Sequence, residues 1–209
     1  MPFAPETELV VKQVGDEDWE VRSVLRYSGT RDSFEVPVGQ TTDFASVPRP
    51  FVWFLPRYGS YTLAAILHDY LWRELAAKSE MKWVDADGIF RRAMRELHVP
   101  FLRRWIMWSA VRWAALFKPQ GLKGWLGESW RVLVFTLLAL PFAIVPGLVI
   151  LLALLAFYVL ELFVWVFIEI AATVRARLTK APPRKEVVMP QLDLSTAGKA
   201  PAVTTPAPE

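Results

Sequence analysis

Short runs of alternating apolar and polar residues occupy the first part of the chain, over residues 8–38. These runs are rich in Val, Phe, Trp and Tyr, and turn sequences around Gly15 and Gly29 interrupt them. Alternation with a period of two, broken by glycine and aspartate, is typical of hairpin strands. We therefore predict a small antiparallel sheet of about three strands.

The pattern then changes to apolar residues spaced three and four apart, which is the period of an amphipathic helix. Ser79 is placed to cap the second of these stretches, and Pro100 suits the first turn of the third. The pattern predicts a three-helix unit over residues 61–77, 80–97 and 100–117.

Residues 132–168 are almost entirely apolar, with Glu161 as the single charge. One helix over this run would measure about 55 Å, whereas a bilayer core is about 30 Å thick. Proline and glycine in Val145-Pro146-Gly147 interrupt the run, so we predict a membrane helical hairpin that reverses there. A single kinked span is the alternative.

Basic residues on both flanks of the apolar run support the hairpin, because positive charge favours the cytoplasmic side and a hairpin places both flanks there. Arg131 and Glu161 lie equally far from the turn, so a hairpin would pair them at similar depth; otherwise Glu161 lies near the interface. The predicted fold is α+β, organised as a soluble domain (1–117), a connector (118–130), a membrane helical hairpin (131–170), a basic flank (171–180) and a disordered tail (181–209).

Charge is distributed unevenly along the chain. Residues 1–100 carry 12 Lys and Arg against 15 Asp and Glu, whereas residues 101–185 carry 11 against 3. Basic charge beside an apolar run favours anionic lipid headgroups, while nucleic-acid binding would need a basic stripe on the folded domain. We expect the lipid bilayer as partner, with self-association through the membrane segment left open, and no nucleic acid.

The beginning of the chain, MPFAPETELVVKQ, has no basic stretch followed by an apolar core, so it does not read as a secretory signal. We therefore expect the inner (cytoplasmic) membrane, with the N-terminal domain facing the cytoplasm. The sequence contains no cysteine, which excludes disulfides and cysteine-based metal sites. No cofactor or metal can be assigned from the sequence.

The third helix combines arginine with tryptophan, which is a composition also found in helices that lie in the headgroup layer. The competing interpretation is an ordinary helix that packs on the domain through Ile106, Ala110 and Trp113. We favour packing, with some of the tryptophans at the lipid surface.

Two polar residues lie at the centres of apolar helix faces. His68 has Leu67 and Leu71 beside it, and Asp87 occupies the corresponding place on the following helix. A buried carboxylate without a partner is costly, and antiparallel packing brings both residues to the same height. We predict a His68–Asp87 hydrogen bond. In a catalytic interpretation Asp87 orients His68 as a general base; in a structural one the pair fixes helix register.

A short loop upstream of His68 places hydroxyl, carboxylate and guanidinium groups together. Thr42, Ser46 and Arg49 are candidate substrate-binding residues, and Asp43 joins Asp69, which follows His68, as a candidate for holding a cation or substrate. Such a loop can close over an active site, and it can equally cap a helix.

Four sequence blocks carry a family resemblance. They are TDFASVPR at 42–49, YTLAAILHDYLWR at 61–73, ADGIFRRAMRELHVP at 86–100 and RWIMWSAVRWAALF at 104–117. They resemble successive blocks of the bacterial and phage family catalogued as domain of unknown function 1353, over about residues 8–117. The resemblance implies a phage or prophage product and supplies no catalytic assignment. Phe44 replaces the glycine expected after Asp43, which tightens the loop.

Three functions fit the sequence to different degrees. The first is a membrane-proximal hydrolase with His68 as base. The second is a metal-dependent phosphohydrolase of the His-Asp type, which we disfavour because it needs a histidine well before the pair, and the chain contains only His68 and His98. The third is a non-enzymatic membrane accessory or scaffold protein in which these motifs are structural.

Overall fold

The strands form two small antiparallel sheets in the computed structural model, which describes residues 2–4, 8–15, 18–118, 122–179, 188–192 and 194. The fold is α+β as predicted, and the predicted small antiparallel sheet is present with three strands. The second, two-stranded sheet was not predicted; a bend between Val21 and Leu25 divides the second run and lets both residues be fully buried. One sheet has the order β1 (Val11–Gln13), β2 (Trp19–Val21), β5 (Thr41–Thr42), and the other pairs β3 (Leu25–Ser28) with β4 (Ser33–Val36).

The helices follow the strands and pack against them. α1 (Thr62–Tyr70) continues directly into a π-helical segment (Leu71–Ala76), and α2 (Trp83–Glu96) and α3 (Phe101–Ala115) follow. Ser79 does not cap α2, contrary to the prediction; it has a φ of 64° and lies just after the preceding helical segment, where a left-handed residue ends a helix. Pro100 is the N-cap residue of α3 instead of lying within its first turn.

The apolar segment is one helix, α4 (Trp125–Thr179). The predicted hairpin is therefore absent, and Arg131 lies about 45 Å along the helix from Glu161 at 1.5 Å per residue, so these residues do not pair. Pro141 and Pro146 both lie inside α4, because a proline removes one backbone hydrogen bond without forcing the chain to reverse.

α4 extends beyond the predicted membrane segment, residues 131–170, at both ends. α4 begins within the expected connector and continues through the expected basic flank as far as Thr179. Residues 119–121 of the connector, Lys180, and most of the predicted disordered tail lie outside the described residues.

The first part of α4 packs on the domain. Phe135 stacks on Trp105 with ring centroids 4.7 Å apart, and further along the helix Phe142 stacks on Phe54 at 6.1 Å. A Cβ atom at Gly147 would meet Phe51 at 2.9 Å, so this glycine allows close packing instead of making a turn. Residues 125–147 of α4 thus form a docked segment, and residues 148–179 extend beyond it.

Over residues 148–168 the extended part of α4 is apolar on every side apart from Glu161. Among the described residues, α4 is one helix that is long and apolar enough to cross a membrane, and only 6% of its most apolar window is buried. The backbone carbonyl of Leu194 accepts a hydrogen bond from the N–H of Arg49 at 3.2 Å, which brings the C-terminal segment back to the domain.

Candidate functional site

Asp87 is the centre of a buried polar network between α1, α2 and α3. The residue is fully buried, and His68 Nε2 lies 2.8 Å from its Oδ1, so the hydrogen bond predicted from helix spacing is present. The indole N–H of Trp72 donates to the same oxygen at 2.8 Å, and Arg112 Nη1 donates to Oδ2 at 2.8 Å. Three donors therefore compensate the cost of burying this carboxylate.

Arg112 connects this network to α4. Its side chain is fully buried, and its Nε lies 3.8 Å from an Oε atom of Glu128, which is in the first turn of α4. Nε and Nη2 of Arg112 make no hydrogen bond, and neither does the buried Oε2 of Glu128. A movement of α4 by less than 1 Å would form a normal hydrogen bond here.

Sequence reasoning missed Arg112 and Trp72, although it placed Asp87 correctly on a buried face. Arginine is rarely fully buried, so an arginine on a helix that also carries other basic residues gives no sign of its burial. The signal that could have identified it is the need of a buried Asp87 for a permanently charged partner, which a histidine is not.

His68 has one engaged and one open ring edge. Asp87, paired with Arg112, is an acceptor, so Nε2 of a neutral His68 carries the proton and Nδ1 presents a lone pair. The ring is 6% exposed and lies between Trp72 and Phe90, with centroids at 5.0 and 4.6 Å. This arrangement fixes the ring plane and makes Nδ1 available as a proton acceptor.

Asp69 is held by the loop that the sequence singled out. Thr42 Oγ1 donates to its carboxyl at 2.5 Å, and the backbone N–H of Asp43 donates to it as well. Burial raises the pKa of Asp69 well above its usual range, and the nearby Asp43 carboxylate adds to this, while Thr42 and Arg73 oppose it. The side chain therefore has a strong tendency to hold a proton.

Asp43 itself points away from His68 into a surface network. Its carboxylate accepts from Arg73 at 3.2 Å and from the hydroxyl of Ser46, and its backbone carbonyl accepts from Arg57 at 2.8 Å. These contacts fasten the loop to the helices. Arg57, which is buried, is a loop-fixing residue that the sequence reasoning did not identify.

Phe44 has a strained backbone. Its φ is 63°, in the left-handed region that favours glycine, which matches the substitution noted in the sequence. The ring is buried, and it lies 5.9 Å from the ring of Trp19 and 5.7 Å from that of Tyr58. Aromatic packing thus holds the loop in a conformation that costs about 1–2 kcal/mol.

A cavity of about 170 Å³ lies beneath this loop. His68, Asp69 and Ser46 are its polar lining residues, whereas Asp43, Thr42 and Arg49 do not line it. The rest of the wall is apolar or aromatic and comes from the loop, α1 with its π-helical extension, α2 and α3: Phe44, Ala45, Val47, Leu55, Ala65, Trp72, Phe90, Met107, Ala110, Val111 and Ala114.

The structure thus brings together only part of the predicted site. His68, Asp69 and Ser46 share one cavity, Asp87 supports it from behind, and Thr42 and Asp43 position the loop. Over the described residues, no group of three or more His, Cys, Asp or Glu side chains is placed to hold a metal ion.

α3 also differs from its predicted packing. Ile106 is buried as expected, but Ala110 is exposed at the cavity wall, and the indole N–H of Trp113 donates to Thr136 of α4 at 2.9 Å. The described tryptophan contacts of α3 are therefore made largely with protein.

Comparison with known proteins identifies one family. Residues 19–111 match the family described as a protein of unknown function (DUF1353). This range holds His68, Trp72, Asp87 and most of the cavity lining, and it ends just before Arg112 and Ala114. No curated protein and no solved structure matches the chain. The match ends before α4, so the long apolar helix lies outside the region that the family describes.

Proposed function

We propose that this protein is a membrane-anchored hydrolase in which His68 acts as the general base. The observation that carries the proposal is a mostly apolar cavity lined both by the imidazole of His68, which Asp87 holds in place, and by the carboxyl group of Asp69, whose pKa is raised. A titratable group with a shifted pKa in an apolar cavity is typical of an active site.

The chemical roles follow from the hydrogen bonds. Nδ1 of His68 takes a proton from water as the water oxygen attacks the substrate, and the imidazolium returns that proton to the leaving oxygen when its bond breaks. Asp87 stabilises the imidazolium and keeps Nε2 as the donor. Asp69, protonated, is placed to donate a hydrogen bond to the substrate.

The membrane anchor is the part of α4 beyond the domain. Residues 148–168 would span about 31 Å as a helix, which equals the thickness of a bilayer core. Arg175 and Arg177 are exposed on the far side, where their charges mark the end of the span. We propose one span in the inner membrane, with the N-terminal domain facing the cytoplasm.

A single span excludes the contact between Arg49 and Leu194. The returning segment would have to cross the hydrocarbon without helical hydrogen bonds, which a lipid environment does not permit. Insertion of α4 therefore separates these two residues, and the contact belongs to the protein outside a bilayer.

The proposed hydrolase activity is tested with the full chain in lipid nanodiscs and a panel of carboxylic and phosphoric esters. We expect His68→Gln to lower hydrolysis by at least about 100-fold, which is the lower range for loss of a general base. His98→Gln is the matched control, because His98 is exposed and lies outside the cavity. Equal hydrolysis by both variants, or none by the parent protein, would overturn the proposal.

One observation favours a second candidate, a non-enzymatic membrane accessory protein. Asp87 receives three donors, two of which are not histidine, as expected of a polar cluster that fixes helix register. In that case His68→Gln would lower the unfolding temperature of the domain strongly, and no ester in the panel would be hydrolysed.

A further inference from the structure

The cavity beside His68 opens between the loop and α3. Three of its lining residues are exposed, Ser46 on the loop and Ala110 and Ala114 on α3, so these three form its mouth. The two alanines lie about one turn apart, and their small side chains leave the mouth unobstructed. The other lining residues are buried or half-buried.

The mouth opens on the side of the domain that lies away from the proposed span. The C-terminal half of α3 lies beside the first turns of α4, since the indole N–H of Trp125 donates to the backbone carbonyl of Arg112 at 3.2 Å. Trp125 precedes residue 148 by about 35 Å along the helix axis. A ligand therefore reaches this cavity from the aqueous phase.

The lining restricts the charge of that ligand. Eleven of the fourteen lining residues are apolar or aromatic, and neither Arg nor Lys is among them. An anion would therefore lose its hydration without gaining a cationic partner, because the Nε2 proton of His68 is already donated to Asp87. A cation would find Asp69 as its only acidic partner in the lining, and Asp69 tends to keep its proton. An uncharged ligand avoids both costs.

The volume restricts the size of the ligand. The cavity measures about 170 Å³, which is slightly more than an apolar cavity of about 150 Å³ that holds one benzene molecule. The enclosed part of a ligand therefore has about six to eight non-hydrogen atoms.

From these features we infer that the cavity binds a small, uncharged, water-soluble ester whose acyl part has about four to six carbons. This inference rests on the proposed function and adds the substrate class. The ester carbonyl accepts a hydrogen bond from the protonated carboxyl of Asp69, beside Nδ1 of His68. In the reaction, water adds to the acyl carbon, the bond to the alcohol oxygen breaks, and a carboxylic acid and an alcohol result. The acid then ionises, and a cavity without a cationic side chain favours its release.

The test is saturation-transfer NMR of the full chain in lipid nanodiscs with three probes of equal length. Pentanamide is uncharged, pentanoate is an anion and pentylammonium is a cation; the amide carries the carbonyl of an ester but resists hydrolysis. Empty nanodiscs give the signal from partition into lipid, which is subtracted. At neutral pH, pentanamide should bind at least about 100-fold more tightly than either ion. Equal binding of all three probes, or tighter binding of either ion, would overturn the inference.

Chain length and variants at the mouth make the result specific. Affinity should rise about fourfold per methylene group from propanamide to pentanamide, and a continued rise to octanamide would contradict the enclosed volume. Ala110→Trp should weaken pentanamide binding by at least about tenfold, because the indole occupies the mouth, and Ala114→Trp is the second variant if the first does not fold. Ala77→Trp is the matched control, because Ala77 is exposed and lies outside this cavity. Undiminished binding in both mouth variants would contradict the inference.

Ester hydrolysis separates this inference from the proposed function. If pentanamide binds as described but no ester is hydrolysed, the binding site stands and the hydrolase is wrong. Methyl pentanoate and the anion of monomethyl glutarate form a matched pair of esters, one uncharged and one charged. If both are hydrolysed equally fast and the rates depend on His68, the hydrolase stands and the inference is overturned.

Discussion

Replacement of Arg112 by methionine tests the buried network most sharply. Arg112 and Asp87 are both fully buried and 2.8 Å apart, so loss of the guanidinium leaves a buried carboxylate without its charged partner. Such a change costs about 3–5 kcal/mol. Two of the guanidinium nitrogens already lack partners, and their removal offsets part of this cost, so we expect the lower end, about 3 kcal/mol.

The assay is thermal unfolding of the full chain in nanodiscs, followed by near-ultraviolet circular dichroism of the tryptophans. A loss of about 3 kcal/mol corresponds to a Tm lower by roughly 10 °C for a domain of this size. The double variant Arg112→Met with Asp87→Leu should recover about 2 kcal/mol relative to the sum of the single changes, because it leaves no buried charge.

A surface ion pair provides the control. Arg131 lies 3.8 Å from Glu128 and is 42% exposed, so Arg131→Met should change stability by no more than about 0.5 kcal/mol. If Arg112→Met changed stability as little as Arg131→Met, or if the effects of the two changes in the double variant were additive, the network would not have the energetic role assigned to it.

Three further predictions concern other parts of the domain. Phe44→Gly should be about 1 kcal/mol more stable than Phe44→Ala in thermal unfolding, because the φ of 63° favours glycine; the reverse order would rule out backbone strain. Asp69→Asn should gain stability over the parent as pH rises above about 4, the pKa of an aspartate in the unfolded chain. The raised pKa of Asp69 means that the folded protein keeps a proton which the unfolded chain has released, so the parent alone loses stability over that range; a Tm difference independent of pH would contradict this. Gly29→Ala should destabilise the domain by about 1–3 kcal/mol, because its Cβ would lie 2.1 Å from the hydroxyl of Tyr27, which donates to Glu96; an unchanged denaturation midpoint would refute the close contact.

The position of His68 and Asp87 could be predicted from the sequence because helix geometry is regular. Residues at equal distances from a short connection meet when two helices pack antiparallel, and a polar residue on an apolar face needs a partner. The same reasoning could not find Arg112, because its burial depends on the first turn of α4, which lies where the sequence predicted a connector.

The hairpin prediction failed for a local reason. Pro146 and Gly147 together are typical of a turn. In an apolar helix, however, a proline is tolerated, and Gly147 lacks a side chain where Phe51 packs against α4. Periodicity carries no information on whether a glycine makes a turn or a close contact. Only the position of the loop beside α4 shows that Gly147 makes a close contact and not a turn.

The loop at residues 42–49 illustrates a second limit. Its composition indicated a site, yet it did not tell which side chains face the cavity. Ser46 lines the cavity, whereas Asp43 turns to Arg73. The backbone of Phe44 sets these directions, and a left-handed phenylalanine is too uncommon to be expected from composition.

The account depends most directly on α4 crossing the membrane once, and the absence of cysteine makes this measurable. Ser60→Cys in the domain and Thr179→Cys at the end of α4 each introduce one exposed thiol. A membrane-impermeant maleimide, applied to sealed vesicles of known orientation, should label the two variants from opposite sides. Labelling of both from the same side would contradict the single span.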